Sequence, residues 1–128
     1  MPINVPPPSG KKREEIGIVH SVRRLYKDTY QIGLNLPKKQ RFGLWAKIAD
    51  GIAEYLELAI EAQLLPRRTK LPNLKTMQIR IEIIKQLIRL SEESSIIKDN
   101  TYFYLEKQIQ DISRMNTNWL NYIEKLKN

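Results

Sequence analysis

The chain has 128 residues, with 22 Lys and Arg against 14 Asp and Glu, one His and no Cys, giving a formal net charge of +8. That length fits a single domain with its own core, and a hydrophobic fraction of 41% is too high for a disordered chain. The composition excludes a disulfide framework, a thiolate nucleophile and any site needing two histidines from one chain, while the positive surplus points to a polyanion, either nucleic acid or an anionic membrane.

Residues 1–13 read as a Pro-rich basic arm, with Pro6-Pro7-Pro8 followed by Lys11-Lys12-Arg13. A disordered terminus and an arm that touches nucleic acid both fit. No apolar leader is read at residues 1–10, and no apolar run approaches the roughly 18 residues of a membrane span. A cytoplasmic protein without membrane contact is therefore expected, with one domain over residues 14–128.

Four amphipathic segments follow. From about Glu14 to Asn35, Ile18, Val22, Leu25, Thr29, Ile32 and Leu36 are spaced 4, 3, 4, 3 and 4 apart, a helical core stripe that Pro37 ends. From about Lys39 to Leu65, the stripe is read as Phe42, Trp45, Ala49, Ile52, Leu56, Ala59 and Gln63. Asp50, Glu54, Glu57 and Glu61 run beside it. These acids either pair, within or between subunits, with Lys75, Lys85 and Arg89 of the next segment or dock a basic partner. From about Asn73 to Glu93, Leu74, Met77, Ile81, Ile84 and Ile88 form the stripe. Ile79, Ile81 and Ile83 also alternate as in a strand, but the helical spacing persists over the greater length. From about Ile97 to Leu126, Tyr102, Leu105, Ile109, Ile112, Asn116, Trp119, Ile123 and Leu126 complete the set, with Asp99 or Asn100 available as a cap. Trp45 and Trp119 fit the core, though a tryptophan also anchors interfaces. Four long helices on short connections predict an all-α, antiparallel up-down-up-down four-helix bundle.

The third helix carries more apolar surface than one core uses. Ile79, Ile83 and Leu90 fall on its reverse side, and Val19, Tyr26 and Tyr30 do the same on the first helix. Burial against a second copy of the chain is one reading, and a bundle with loosely assigned faces is the other. The topology also gathers charge. One pole collects Lys11, Lys12, Arg13, Arg67, Arg68, Lys70, Lys75, Lys125 and Lys127 against Glu14, Glu15 and Glu124; the other carries Lys38, Lys39, Arg41 and Lys98 beside Glu92, Glu93 and Asp99, so the surplus is expected mainly at the first. No zinc finger, helix-turn-helix, RNP aromatic pair or GXXG loop is present. Nucleic acid would therefore be held through its backbone and shape.

Catalytic patterns fail. A di-iron bundle needs two Glu-x-x-His pairs, and His20 has Gly17 three residues before it. Arg13 and His20 meet only the loosest form of the Arg–His pair of HEPN ribonucleases. No nucleophile has a base beside it and no Gly-rich phosphate loop exists. No enzyme activity, metal or cofactor is expected.

The stretches LPKKQRFGLWAKI (Leu36 to Ile48), LELAIEAQ (Leu56 to Gln63), IRIEIIKQLIRL (Ile79 to Leu90) and ISRMNTNWL (Ile112 to Leu120), in that order, carry a resemblance. The chain resembles the accessory variability determinant (Avd) proteins of diversity-generating retroelements. The related four-helix-bundle proteins of 23S ribosomal RNA intervening sequences share the turn but continue into N-I-A-E-G. Here the corresponding DGIAEYLELA keeps Ile52-Ala53-Glu54 without the flanking Asn and Gly. The Avd resemblance implies a ring, a homopentamer, that binds template RNA or an RNA/DNA hybrid and a reverse transcriptase, and so supports mutagenic cDNA synthesis without catalysing it. The other group implies a ribosome-associated RNA-binding bundle. Lys38, Lys39, Arg41, Arg67, Arg68, Lys70 and Lys75 are the candidate phosphate contacts, with Arg80, Lys85, Arg89 and Arg114 as lateral positions. Ile79, Ile83 and Leu90 are the candidate subunit interface.

Overall fold

Helix α1 (Gly10–Leu34) stops just short of Pro37, because the residue before a proline is driven out of the α region. The structure is a computed structural model that describes residues 10–126, with side chains from Gly17 onward. A one-turn helix α2 (Lys38–Arg41) follows, then α3 (Leu44–Leu64), a 3-10 turn (Arg67–Thr69), α4 (Lys70–Glu93) and α5 (Asp99–Lys125). The described residues contain no strand, so Ile79–Ile83 lies on a helix. The N-terminal arm expected at residues 1–13 falls outside the described residues up to residue 9, and α1 is already helical at Gly10.

Two boundaries differ from the sequence expectation, each for a local reason. The segment expected as one helix from Lys39 is split at Gly43. A Cβ on Gly43 would sit 2.9 Å from the Lys39 carbonyl oxygen, an approach that only glycine allows. Pro72, expected ahead of the third helix, lies inside the first turn of α4. There its missing N–H has no intrahelical acceptor to lose.

Neighbouring helices run antiparallel, as cross-helix pairs show. Trp45 Nε1 donates to the Thr29 carbonyl at 2.9 Å, so the start of α3 meets the end of α1. Along α3 and α4, Asn73 reaches Glu61 and Arg80 reaches Glu54. Along α4 and α5, Gln78 donates to Thr117 and Arg89 to Tyr102. Asp28 of α1 accepts from Tyr104 and Gln108 of α5. The four long helices therefore form a square, α1 beside α3 and α5, and α4 beside the same two.

The core stripes of α1, α4 and α5 follow the expected spacing, except that Ile32 is half-buried, Leu36 is half-buried beyond the end of α1, and Leu126 after α5 is exposed. In α3 the buried series is Trp45, Ile48, Ile52, Tyr55, Ala59 and Ala62. It shares Trp45, Ile52 and Ala59 with the expected stripe and replaces the rest. Both tryptophans are core residues. At the centre the Tyr55 hydroxyl donates to Asn116 Oδ1 at 2.6 Å, and Asn116 Nδ2 donates to the Leu74 carbonyl at 3.2 Å. Burial pushes the Tyr55 hydroxyl far above its ordinary pKa. This chain ties α3, α4 and α5 together with its polar atoms satisfied.

Candidate nucleic-acid interface

The topology creates two poles. One holds the start of α1, the α3–α4 connection and the end of α5; the other holds α2 and the α4–α5 connection.

At the first pole, Arg67 and Arg68 project from the 3-10 turn and are exposed, as are Lys75 and Lys125. Lys70 does not join them. It is only 4% exposed, and its ammonium donates to the Ala62 carbonyl and, at 3.3 Å, to the Gln63 carbonyl. The Trp119 ring centroid lies 5.9 Å away. The last carbonyls of a helix lack intrahelical partners and carry partial negative charge, so a buried cation is well placed there. Lys70 thus caps α3 from within the bundle, which corrects its expected place on the phosphate-binding surface. The side chains of Lys11, Lys12 and Arg13, and Lys127 as a whole, lie outside the described residues.

At the second pole the backbone is pinned. The Arg41 N–H donates to the Pro37 carbonyl and the Phe42 N–H to the Lys38 carbonyl, each at 2.9 Å, and the Gly43 N–H to Gln40 at 3.2 Å. Lys38 and Lys39 are exposed and Arg41 is half-buried. Phe42, expected in the core, is 71% exposed, and the Arg41 guanidinium sits 5.3 Å from its ring centroid. The cause is the break at Gly43. Phe42 belongs to the end of α2, out of phase with the stripe that begins at Trp45.

The lateral candidates are engaged with acids to differing degrees. Arg80 lies 3.7 Å from Glu54, Arg89 lies 3.5 Å from Glu93, and Arg114 lies 3.1 Å from Asp111. The Tyr102 hydroxyl bond, then Glu93, holds the Arg89 guanidinium above its ordinary range. Lys85 is half-buried. Exposed pairs of this kind are screened by solvent and exchange readily with other anions. The acidic stripe Asp50, Glu54, Glu57 and Glu61 is solvent-facing. Within the subunit its partners in α4 are Arg80 and Asn73, and not Lys75, Lys85 or Arg89. Sequence reasoning passed over Arg23, Arg24 and Lys27 of α1, Lys47 of α3 and Lys107 of α5, all exposed. Their signal was available, since each falls off its helix's apolar stripe.

The reverse side of α4 is apolar. Ile79 is 63% exposed, and Ile83 and Leu90 are exposed as well. An open groove of about 690 Å³ is lined by Ile79, Ile83, Leu87 and Leu120. On α1, Val19 and Tyr26 are half-buried against the core and only Tyr30 stands out. His20 is exposed on α1, and no group of three His, Cys, Asp or Glu among the described residues is placed to hold a metal ion.

A family model described as bAvd-like matches residues 16–123. No curated protein and no solved structure matches the chain. No helix among the described residues is long and apolar enough to cross a membrane.

Proposed function

The chain belongs to the bAvd-like family, and from that membership we propose that it is a non-catalytic accessory protein of a diversity-generating retroelement. It binds the element's reverse transcriptase together with template RNA or an RNA/DNA hybrid, and it supports mutagenic cDNA synthesis as a homo-oligomer, a pentameric ring. The observation that carries this reading is the family match over nearly the whole described chain.

Two features support it. Exposed cations at both poles, Lys38 and Lys39 at one and Arg67, Arg68 and Lys75 at the other, suit phosphate contacts that read no sequence. A ring repeats each pole around a rim and multiplies weak contacts. The exposed isoleucines of α4 suit burial against a second copy, because monomers rarely keep such a patch in water.

The test is reconstitution with a retroelement reverse transcriptase and its template RNA. The expected outcome is a complex of all three on size exclusion and cDNA that depends on the added protein. Reverse transcriptase that makes the same cDNA, with the same errors, without this protein overturns the accessory role.

A further inference from the structure

We propose that the α2 turn is a recognition site for single-stranded nucleic acid, in which Phe42 stacks on an unpaired base while Lys38 and Lys39 hold the flanking phosphates. The inference rests on the reading of the protein as RNA-binding and names the form of RNA that this pole selects.

Three observations carry it. Phe42 is the most exposed aromatic residue of the described chain, at 71%. The backbone that carries it is fixed, because four backbone hydrogen bonds from Arg41, Phe42, Gly43 and Ala46 hold the turn and Gly43 admits no side chain. One side of the ring is already occupied by the Arg41 guanidinium at 5.3 Å, leaving the other for a ligand. A guanidinium–ring–base stack is a recurring arrangement at sites for unpaired bases, whereas bases in a duplex are stacked on each other and out of reach.

The electrostatics point the same way. From Thr29 to Ala49 the chain contains Lys38, Lys39, Arg41 and Lys47 and no Asp or Glu. A protein-docking aromatic is usually ringed by apolar and mixed-charge neighbours. Within this segment every charge beside the ring is a cation; the acids of the pole, Glu92, Glu93 and Asp99, belong to the α4–α5 connection. A pre-set platform also avoids the ordering cost of a mobile loop.

The experiment measures binding of the full-length protein to a fluorescein-labelled, unstructured 15-nucleotide RNA and to the same strand annealed to its complement. Phe42→Ala is expected to weaken single-strand binding by about tenfold, in the range of one stacked base, with less than a twofold change for the duplex. Phe42→Trp is expected to retain single-strand affinity and to show tryptophan fluorescence quenched by the RNA. Lys38→Gln with Lys39→Gln is expected to flatten the salt dependence. Unchanged single-strand affinity in Phe42→Ala overturns the proposal, as does an equal loss for both RNA forms. A drop in oligomer mass with RNA binding intact also overturns it and makes Phe42 an interface anchor. If the wild-type protein binds neither RNA, the RNA-binding reading fails along with it; if it binds and Phe42→Ala binds equally, only the stacking site fails.

Discussion

Lys70 and Arg68 sit two residues apart in one basic run and have opposite fates. Lys70 fills the end of the bundle with its ammonium on the carbonyls of α3, and Arg68 faces solvent. Nothing in the run itself separates them; the difference is made by where α3 ends, which is a tertiary fact. Lys70→Ala is therefore expected to cost about 2 kcal/mol or more, from a lost charged hydrogen bond and lost packing, while folded protein keeps its RNA affinity. Arg67→Ala with Arg68→Ala is expected to leave the melting temperature unchanged and to weaken RNA binding across unrelated sequences. Thermal melts and salt-dependent binding isotherms read the two cases apart, and a loss confined to one RNA sequence would contradict backbone recognition. Gly33 is equally particular to this packing. A Cβ there would lie 2.8 Å from Trp45 Cδ1, so Gly33→Ala must displace a buried indole. A loss of about 1–3 kcal/mol in denaturant unfolding is expected.

Helices differ in how openly their sequences declare the buried side. In α4 and α5, isoleucine and leucine alternate with long polar residues, and the spacing alone picks out Leu74, Met77, Ile81, Ile84 and Ile88. Helix α3 has alanines at Ala46, Ala49, Ala53, Ala59 and Ala62 around its circumference, which blurs the contrast. Tyr55 also carries a hydroxyl that suits water, until Asn116 on α5 supplies its partner. Tyr55→Phe is expected to cost about 1–3 kcal/mol because it strips Asn116 Oδ1 of its donor. The α4–α5 connection holds a different tension. A hydrogen bond with Asp99, partial burial and the nearby Asp99 and Glu93 charges raise the Glu92 carboxyl above its ordinary range, against a lowering by Arg89. A carboxyl raised in the folded state adds stability below its unfolded pKa, and that contribution disappears as pH rises through the folded value. Glu92→Gln should thus melt higher than wild type at pH 7 and equal to it at pH 4; the same difference at both pH values would remove the carboxyl pair as its cause.

For the molecule as a whole, the bundle and its charge were legible because amphipathic spacing and proline breaks are written locally. The exposed apolar side of α4 was legible for the same reason, since Ile79, Ile83 and Leu90 fall off a clean stripe. Phe42 was not, because its exposure depends on one glycine ending a one-turn helix. Ile79→Asp with Ile83→Asp is expected to leave helical content intact and to reduce the mass in solution toward 15.1 kDa, measured by light scattering. An unchanged mass places the interface elsewhere. The square of helices also carries a kinetic consequence. Three of its sides join helices that follow one another in the chain, and the fourth joins α1 to α5, where Asp28 and Gln108 are 80 positions apart. Closing that side carries the largest loop entropy, so it should zip last. Substitutions at Gly17 or Met115, which meet across it, should then speed unfolding while leaving the refolding rate nearly untouched.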